Sequence, residues 1–324
     1  MKKNVERSSD IQQVGVSPIY YFGQWASNVF RWVFLICISF IILYPLLYMV
    51  SMALRSPSDF LDITVVWLPK TPTLDNFKTA IFDINLMKPM LNTISISLGS
   101  SILQIASTSL AGYGFARFNF KGRPLLFAVV LLTIIIPPQM VSMPNYLLFK
   151  NLDFFGLVHI ITGSPSPVNL LDTPFSYWLP AALGQGLRAG VFVLVFRQFF
   201  SGMPVELEEA ALIDGCGYGK TFFRIMLPNA STPIAVYSLF SLVWYWGDYY
   251  LAYINLSQMR VLSTQLKGLR MSLEGFLPRE QLTVYYIIPI EQAACLFSIL
   301  PLIIIFLLGQ RYFVQGIDRT GLVG

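Results

Sequence analysis

Charge is scarce in this chain. Only 12% of its 324 residues are charged, while 55% are hydrophobic. Soluble domains carry about twice that share of charge. A soluble core of this size could not bury so much apolar surface. The shortage of charge therefore predicts a membrane protein.

Histidine and cysteine are also scarce. One histidine, His159, leaves little scope for histidine-based catalysis or metal binding. The three cysteines (Cys37, Cys216 and Cys295) are an odd number at wide spacing, which favours neither a disulfide framework nor a metal site. The net charge of +5 comes from scattered Lys and Arg residues, so nucleic-acid binding is not expected. The composition predicts no metal site and little scope for histidine-based catalysis.

Long apolar runs are abundant instead. A run of about 20 apolar residues can cross a hydrocarbon core of about 30 Å. Six runs predict six transmembrane helices and an all-α fold: residues 32–54, 94–115, 124–148, 178–198, 233–254 and 286–309. The second run is rich in Ser and Gly, which permit close helix packing, so it should lie inside the bundle. Pro137, Pro138 and Pro144 interrupt the third run.

Basic residues orient the predicted bundle. Residues 117–123 contain three basic residues and no acidic one, which is typical of a short cytoplasmic loop. With six spans, both termini lie on that side. We therefore expect a transmembrane domain at residues 32–309 between cytoplasmic tails at residues 1–31 and 310–324.

One polar stretch, residues 206–228, falls on the predicted cytoplasmic side. Three glutamates near its start are favoured by the positive end of a helix: Glu206, Glu208 and Glu209. Gly215 and Gly217 predict a sharp reversal after that helix. Residues 218–226 predict a second short helix, which Leu227 and Pro228 should end. This helix–turn–helix is either a docking surface for a soluble partner or an ordinary interfacial loop.

The same stretch contains a false signal for nucleotide binding. Gly219 and Lys220 resemble the end of a phosphate-binding loop, but Asp214 stands where that pattern requires its first glycine. No strand precedes the stretch. The chain is not expected to bind ATP.

The spacing of the polar stretch resembles the EAA loop of ABC importer permeases, here at about residues 204–228. Every fixed position of that motif is filled: Glu209, Ala210, Ala211, Gly215, Ile225, Leu227 and Pro228. Flanking residues resemble the carbohydrate (maltose-type, binding-protein-dependent) branch, among them Ile213-Asp214-Gly215 and Trp246-Gly247-Asp248. The chain departs from that branch at Gly247, where Asn is usual, at Val323, where Lys is usual, and in a longer connection around residues 162–173.

The resemblance implies a type I ABC importer permease fold in the cytoplasmic (plasma) membrane of a prokaryote. It implies four kinds of partner within the lipid bilayer or beside it: a second permease subunit, an ABC ATPase dimer, an extracytoplasmic solute-binding protein and a sugar substrate. ATP would be hydrolysed by the ATPases, so this chain would be no enzyme and would hold no cofactor. The helix pair at residues 206–228 would be the coupling helix, seated in a cleft of one ATPase. Its seven motif residues would make the coupling contact, with Glu209 pairing with a basic or hydroxyl group of the ATPase.

Two other functions stay open. One is the same importer architecture with another cargo, such as a polyamine or glycerol phosphate. The other is a membrane anchor or sensor subunit that transports nothing.

Six residues are candidates for the substrate path: Trp244, Trp246, Asp248, Tyr249, Arg188 and Glu291. Aromatic faces and hydrogen-bonding groups are what a sugar needs. The aromatic cluster also fits an interfacial belt, the commoner origin of such clusters. Arg188 and Glu291 lie in apolar runs, where charges usually face a cavity or each other. A lining role and a mutual ion pair both stay open.

Overall fold

A computed structural model describes residues 18–153 and 167–320. These residues are helical apart from connecting segments and one isolated bridge between Leu152 and Val168, which confirms the all-α prediction. Several sequence predictions lie outside the described residues. They concern His159, the first part of the N-terminal tail, the start of the connection at residues 162–173, and the C-terminal end with Val323.

Three helices are long and apolar enough to cross a membrane: α1 (Pro18–Ala53), α4 (Met87–Arg117) and α15 (Val284–Thr320). α1 begins inside the segment predicted as the N-terminal tail, and α15 runs into the predicted C-terminal tail. Between α1 and α4 lie α2 (Pro57–Leu61) and α3 (Asp75–Lys78), which continues as a π-helical turn (Thr79–Asp83).

Three bent helix pairs supply up to three further spans. The first is α5 (Arg123–Ile135) with α6 (Pro138–Lys150), bent by 103°. The second is α8 (Ala189–Gly202) with α9 (Glu206–Ile213), bent by 77°. The third is α10 (Tyr218–Asn229) with α11 (Ser231–Gly247), bent by 79°. The described chain thus has up to six candidate spans by length and composition.

The remaining helices are short. They are α7 (Phe175–Ala182), α12 (Tyr250–Asn255), α13 (Leu262–Lys267), α14 (Leu269–Phe276) and a 3₁₀ turn (Arg279–Gln281).

Three predicted spans are not single helices. Residues 233–254 divide between α11 and α12, because Asp248 takes an extended conformation after Gly247. Residues 124–148 divide between α5 and α6, because Ile136 before Pro137 takes an extended conformation and the second helix restarts at Pro138. Residues 178–198 divide between α7 and α8. Gly184 and Arg188 have positive φ angles of 72° and 54°, which end one helix and start the next. Arg188 therefore caps α8 at a break instead of lying in the middle of a span.

The second predicted span does lie inside the bundle. Buried residues make up 44% of the apolar window of α4, against 0% for α1 and 17% for α15. Ser and Gly residues line its contacts, and a Cβ on Gly112 would come within 2.5 Å of the Phe196 Cβ in α8. α1 and α15 instead leave many large apolar side chains exposed, as expected for surfaces that face lipid or another subunit.

Candidate functional site

The helix pair α9–α10 (residues 206–229) follows α8 in the chain and carries the motif. α9 ends at Ile213, and Gly215 has a φ of +79°, a conformation that suits glycine. The backbone N–H of Cys216 donates to the Ala211 carbonyl at 2.9 Å, which closes the turn. α10 then starts at Tyr218. The predicted helix–turn–helix is confirmed.

The predicted end of the second helix is wrong. α10 continues through Leu227 and Pro228 to Asn229. Proline has no backbone N–H, but a π-helical turn over Phe222–Met226 precedes it and Pro228 lies in the first turn of the next segment. Proline is tolerated in a first helical turn, so the bend into α11 comes later, at Ala230.

Aromatic packing holds α10 against the bundle. Phe222 and Met226 are fully buried beside Tyr113 of α4 and Phe196 and Phe200 of α8. The rings of Phe222 and Tyr113 lie 5.1 Å apart. Phe222 and Met226 therefore dock α10 onto the bundle. A displacement of α10 must therefore move the ends of α4 and α8 as well.

A buried charge cluster holds α9 in the same way. Glu208 Oε2 lies 3.3 Å from Arg117 Nε, and their side chains are only 8% and 11% exposed. Tyr113 Oη donates a 2.7 Å hydrogen bond to Glu208 Oε1. Arg117 Nη2 donates to the Met203 carbonyl at 2.7 Å. α9 is thus fastened to the end of α4 by one carboxylate with two partners.

Sequence reasoning treated Glu208 only as one of three acids near a helix end. One signal pointed further. Tyr113 and Arg117 stand four residues apart at the end of an apolar helix, so they share a face and could bind one carboxylate. The sequence could not say which glutamate would take that place.

The motif residues differ in how deeply they are buried. Glu209, Ala210, Gly215 and Pro228 are exposed, Ile225 and Leu227 are partly buried, and Ala211 is buried within the chain. Large apolar side chains flank the exposed set, with Phe223 64% exposed and Ile213 85% exposed. An exposed carboxylate among exposed apolar side chains is typical of a protein–protein contact surface.

The six candidates for the substrate path do not form one site. The Arg188 guanidinium carbon lies 4.8 Å from the centre of a Trp244 ring, a cation–π contact. Trp246 is buried. Tyr249 lies under Lys267, with the ammonium 5.1 Å from the ring centre.

Asp248 and Glu291 have separate surroundings. The Asp248 carboxylate accepts a hydrogen bond from Tyr177 of α7, and its carbonyl accepts one of 2.7 Å from Ser263. The Glu291 side chain makes no hydrogen bond or ion pair with any described residue. The interpretation that Arg188 and Glu291 pair with each other is therefore wrong for this structure, because Trp244 takes the guanidinium.

Gln104 is a buried residue that sequence reasoning missed. Its Nε2 donates to the Leu187 carbonyl at 2.8 Å, within the break between α7 and α8. Tyr245 Oη donates to Gln104 Oε1 and accepts the Leu187 N–H at 3.1 Å. Backbone groups freed by a helix break inside a membrane protein need such partners. The available signal in the sequence was the single side-chain amide of Gln104 in the middle of an apolar run.

Across residues 18–153 and 167–320, no group of three His, Cys, Asp or Glu side chains could hold a metal ion.

Comparison with known proteins adds a separate line of evidence. Residues 108–319 match the family described as "Binding-protein-dependent transport system inner membrane component". The chain is 28% identical over 290 residues to the arabinooligosaccharides transport system permease protein AraQ of Halalkalibacterium halodurans, which covers 89% of this chain and 93% of that protein. It is 27% identical over 305 residues to the maltodextrin transport system permease protein MdxG of Bacillus subtilis, covering 92% and 97%.

A solved structure shares the fold. One chain of a bacterial ABC transporter involved in the import of the acidic polysaccharide alginate superposes with a TM-score of 0.69 at 20% identity. The superposition covers 92% of this chain and 100% of that one. At this identity the likeness concerns the fold alone.

Proposed function

Because the chain belongs to the family of binding-protein-dependent transport system inner membrane components, we propose that it is a permease subunit of an ATP-driven sugar importer. The substrate class is a sugar or oligosaccharide, which the names of the related permeases support. The fold likeness to the alginate importer chain confirms the expected ABC importer permease fold. A second permease subunit, an ATPase pair and an extracytoplasmic binding protein complete the proposed importer.

The proposed location is the cytoplasmic membrane of a prokaryote, with both termini in the cytoplasm. Arg117 supports this orientation, because it belongs to the basic loop at residues 117–123 and also contacts Glu208 in α9. The basic loop and the helix pair α9–α10 therefore lie on one side, and basic loops favour the cytoplasm.

The observation that carries the proposal is that α9–α10 is exposed on one face and anchored on the other. Its outer face presents Glu209 and Phe223 to a partner. Its inner face is tied to α4 and α8 through Glu208, Phe222 and Met226. ATP binding and closure occur in the partner ATPases, and the helix pair acts as a rigid lever. The breaks next to α5, α7 and α11 supply places where the spans change angle.

Within the membrane, we assign Arg188 and Trp244 to the substrate path. Their stacked arrangement offers guanidinium donors and an aromatic face together. Trp246 is buried and the Asp248 carboxylate accepts a hydrogen bond from Tyr177, so we do not assign these two to the substrate path. Tyr249 and Glu291 stay candidates that no contact with another candidate supports.

The coupling role is tested by Glu209→Lys and Gly215→Asp in the assembled importer. Both variants should insert into the membrane normally and lose sugar uptake, because one alters the exposed contact and the other the left-handed turn. Glu206→Lys, the same charge change at another exposed position of α9, is the matched control. Persistent uptake in both test variants would contradict the coupling role.

The cargo is tested separately with the purified binding protein of this importer. Saccharides should shift its thermal unfolding or its intrinsic fluorescence, since binding to the native state stabilises it. If it binds a polyamine or glycerol phosphate and no saccharide, the sugar assignment is wrong while the importer assignment stands.

A further inference from the structure

A polar pocket lies at the N-terminal end of α4, the opposite end of that helix from Arg117. Its cavity volume is about 190 Å³. Six polar residues line it: Asn85, Lys88, Asn92, Gln258, Arg260 and Gln265. No acidic and no aromatic residue is among its lining residues. Pockets for drug-sized ligands have roughly 300–1,000 Å³, so this one suits a single small group.

Hydrogen bonds hold both the backbone and the guanidinium of Arg260 in place. Asn92 Nδ2 donates to its backbone carbonyl at 2.9 Å. Its Nη1 donates to Gln265 Oε1 at 3.3 Å. Gln265 is only 6% exposed and lines the pocket, and its side-chain Nε2 has no hydrogen-bond partner among the described residues. The pocket thus has a positioned cation and a spare donor from a buried side chain.

The two cations of the pocket have no counterion among the described residues. The ion pairs of the described residues involve Lys70, Lys78, Arg117 and Arg270, but neither Lys88 nor Arg260. The positive end of the α4 dipole lies beside them. The Asp172 carboxylate binds the backbone N–H of Gln258 at 2.6 Å but does not line the pocket. An anionic group from outside the chain would satisfy this site.

We propose that the pocket receives a carboxylate side chain of the binding protein when that protein docks. This rests on the proposed function, which places this end of α4 on the outer face. A sugar is the weaker occupant, because the lining offers no aromatic ring for a sugar face. Exposed cations suit a transient encounter, since charge complementarity mainly speeds docking and sets its register.

The test uses the complete importer in proteoliposomes, with its binding protein saturated with the transported sugar. ATP hydrolysis is measured against the concentration of binding protein. Lys88→Glu and Arg260→Glu should each raise the half-saturating concentration by about tenfold or more, because like charges then meet across the interface. The maximal rate should stay unchanged. Lys88→Gln should give a smaller shift that weakens as salt is added.

Arg279→Glu is the matched control, since Arg279 is exposed and unpaired among the described residues and lies outside the pocket. It should leave the half-saturating concentration almost unchanged. A rescue strengthens the test. Among Asp→Lys and Glu→Lys variants of the binding protein, one should restore tight docking with the Lys88→Glu permease.

Three results would overturn the proposal. The first is an unchanged half-saturating concentration in both pocket variants. The second is an equal effect of Arg279→Glu, which would indicate diffuse electrostatics. The third is an altered dependence on sugar concentration at saturating binding protein, which would make the pocket a substrate site. A wild-type importer that neither imports sugar nor responds to any binding protein would instead contradict the proposed function.

Discussion

Replacing Glu208 with alanine should loosen the helix pair α9–α10 from α4. The change leaves Arg117 buried with only the Met203 carbonyl as partner, and it leaves the Tyr113 hydroxyl without its acceptor. Removing one member of a buried ion pair costs about 3–5 kcal/mol. The Arg117 side chain is 11% exposed, so water can partly solvate its unpaired charge. We therefore expect the free energy of unfolding to fall by about 3 kcal/mol, at the lower end of that range.

Two assays test this prediction, one of stability and one of transport. In the purified importer, the denaturation midpoint of the permease subunit should fall. In proteoliposomes, the number of ATP molecules hydrolysed per sugar imported should rise, because the lever no longer moves α4 with it. Glu208→Gln should lie between wild type and alanine, since its amide oxygen still accepts from Tyr113 while the charge on Arg117 stays uncompensated.

Glu206→Ala is the matched control for Glu208→Ala. Glu206 is an exposed carboxylate in the same helix, and surface substitutions usually change stability by less than about 0.5 kcal/mol. If the two alanine variants lose the same stability and keep the same coupling ratio, the reasoning from the buried cluster is refuted.

Three further predictions concern stability, each measured by denaturation of the purified importer. Gly112→Ala should lower the free energy of unfolding by about 1–3 kcal/mol, because its Cβ would meet the facing α8 backbone. A Cβ on Gly114 would have nothing within 4 Å, so Gly114→Ala should be nearly neutral. Equal losses in the two variants would contradict the close packing. Phe222→Ala removes a buried ring and should lower the free energy of unfolding by about 3–5 kcal/mol. Phe223 is exposed, so Phe223→Ala should leave stability unchanged and weaken the contact with the ATPase. The reverse order would show that α10 is docked differently. Gln104→Leu should cost about 1–3 kcal/mol by stranding a backbone carbonyl, and an unchanged midpoint would mean that another donor replaces the amide.

Much of the fold follows from local pattern. The apolar runs predicted the long helices, and the Ser- and Gly-rich run correctly indicated the interior helix α4. The break before Pro138 follows from the restricted backbone of the residue before a proline. The break before Arg188 could not be predicted from local pattern, because Gly184 inside an apolar run is compatible with a continuous membrane helix. That break depends on Gln104 and Tyr245, whose side chains satisfy the freed backbone groups from other helices.

The sequence by itself determined that the chain is a helical membrane protein and where its EAA-like motif lies. Both depend on local composition and on spacing along the chain, which need no knowledge of distant contacts. Only the tertiary structure decided which glutamate is exposed and which is buried. Glu208 and Glu209 are neighbours in sequence, yet Glu208 binds Tyr113, a residue 95 positions away. A buried carboxylate needs partners to offset its desolvation, and folding brings those partners to one of the two residues only.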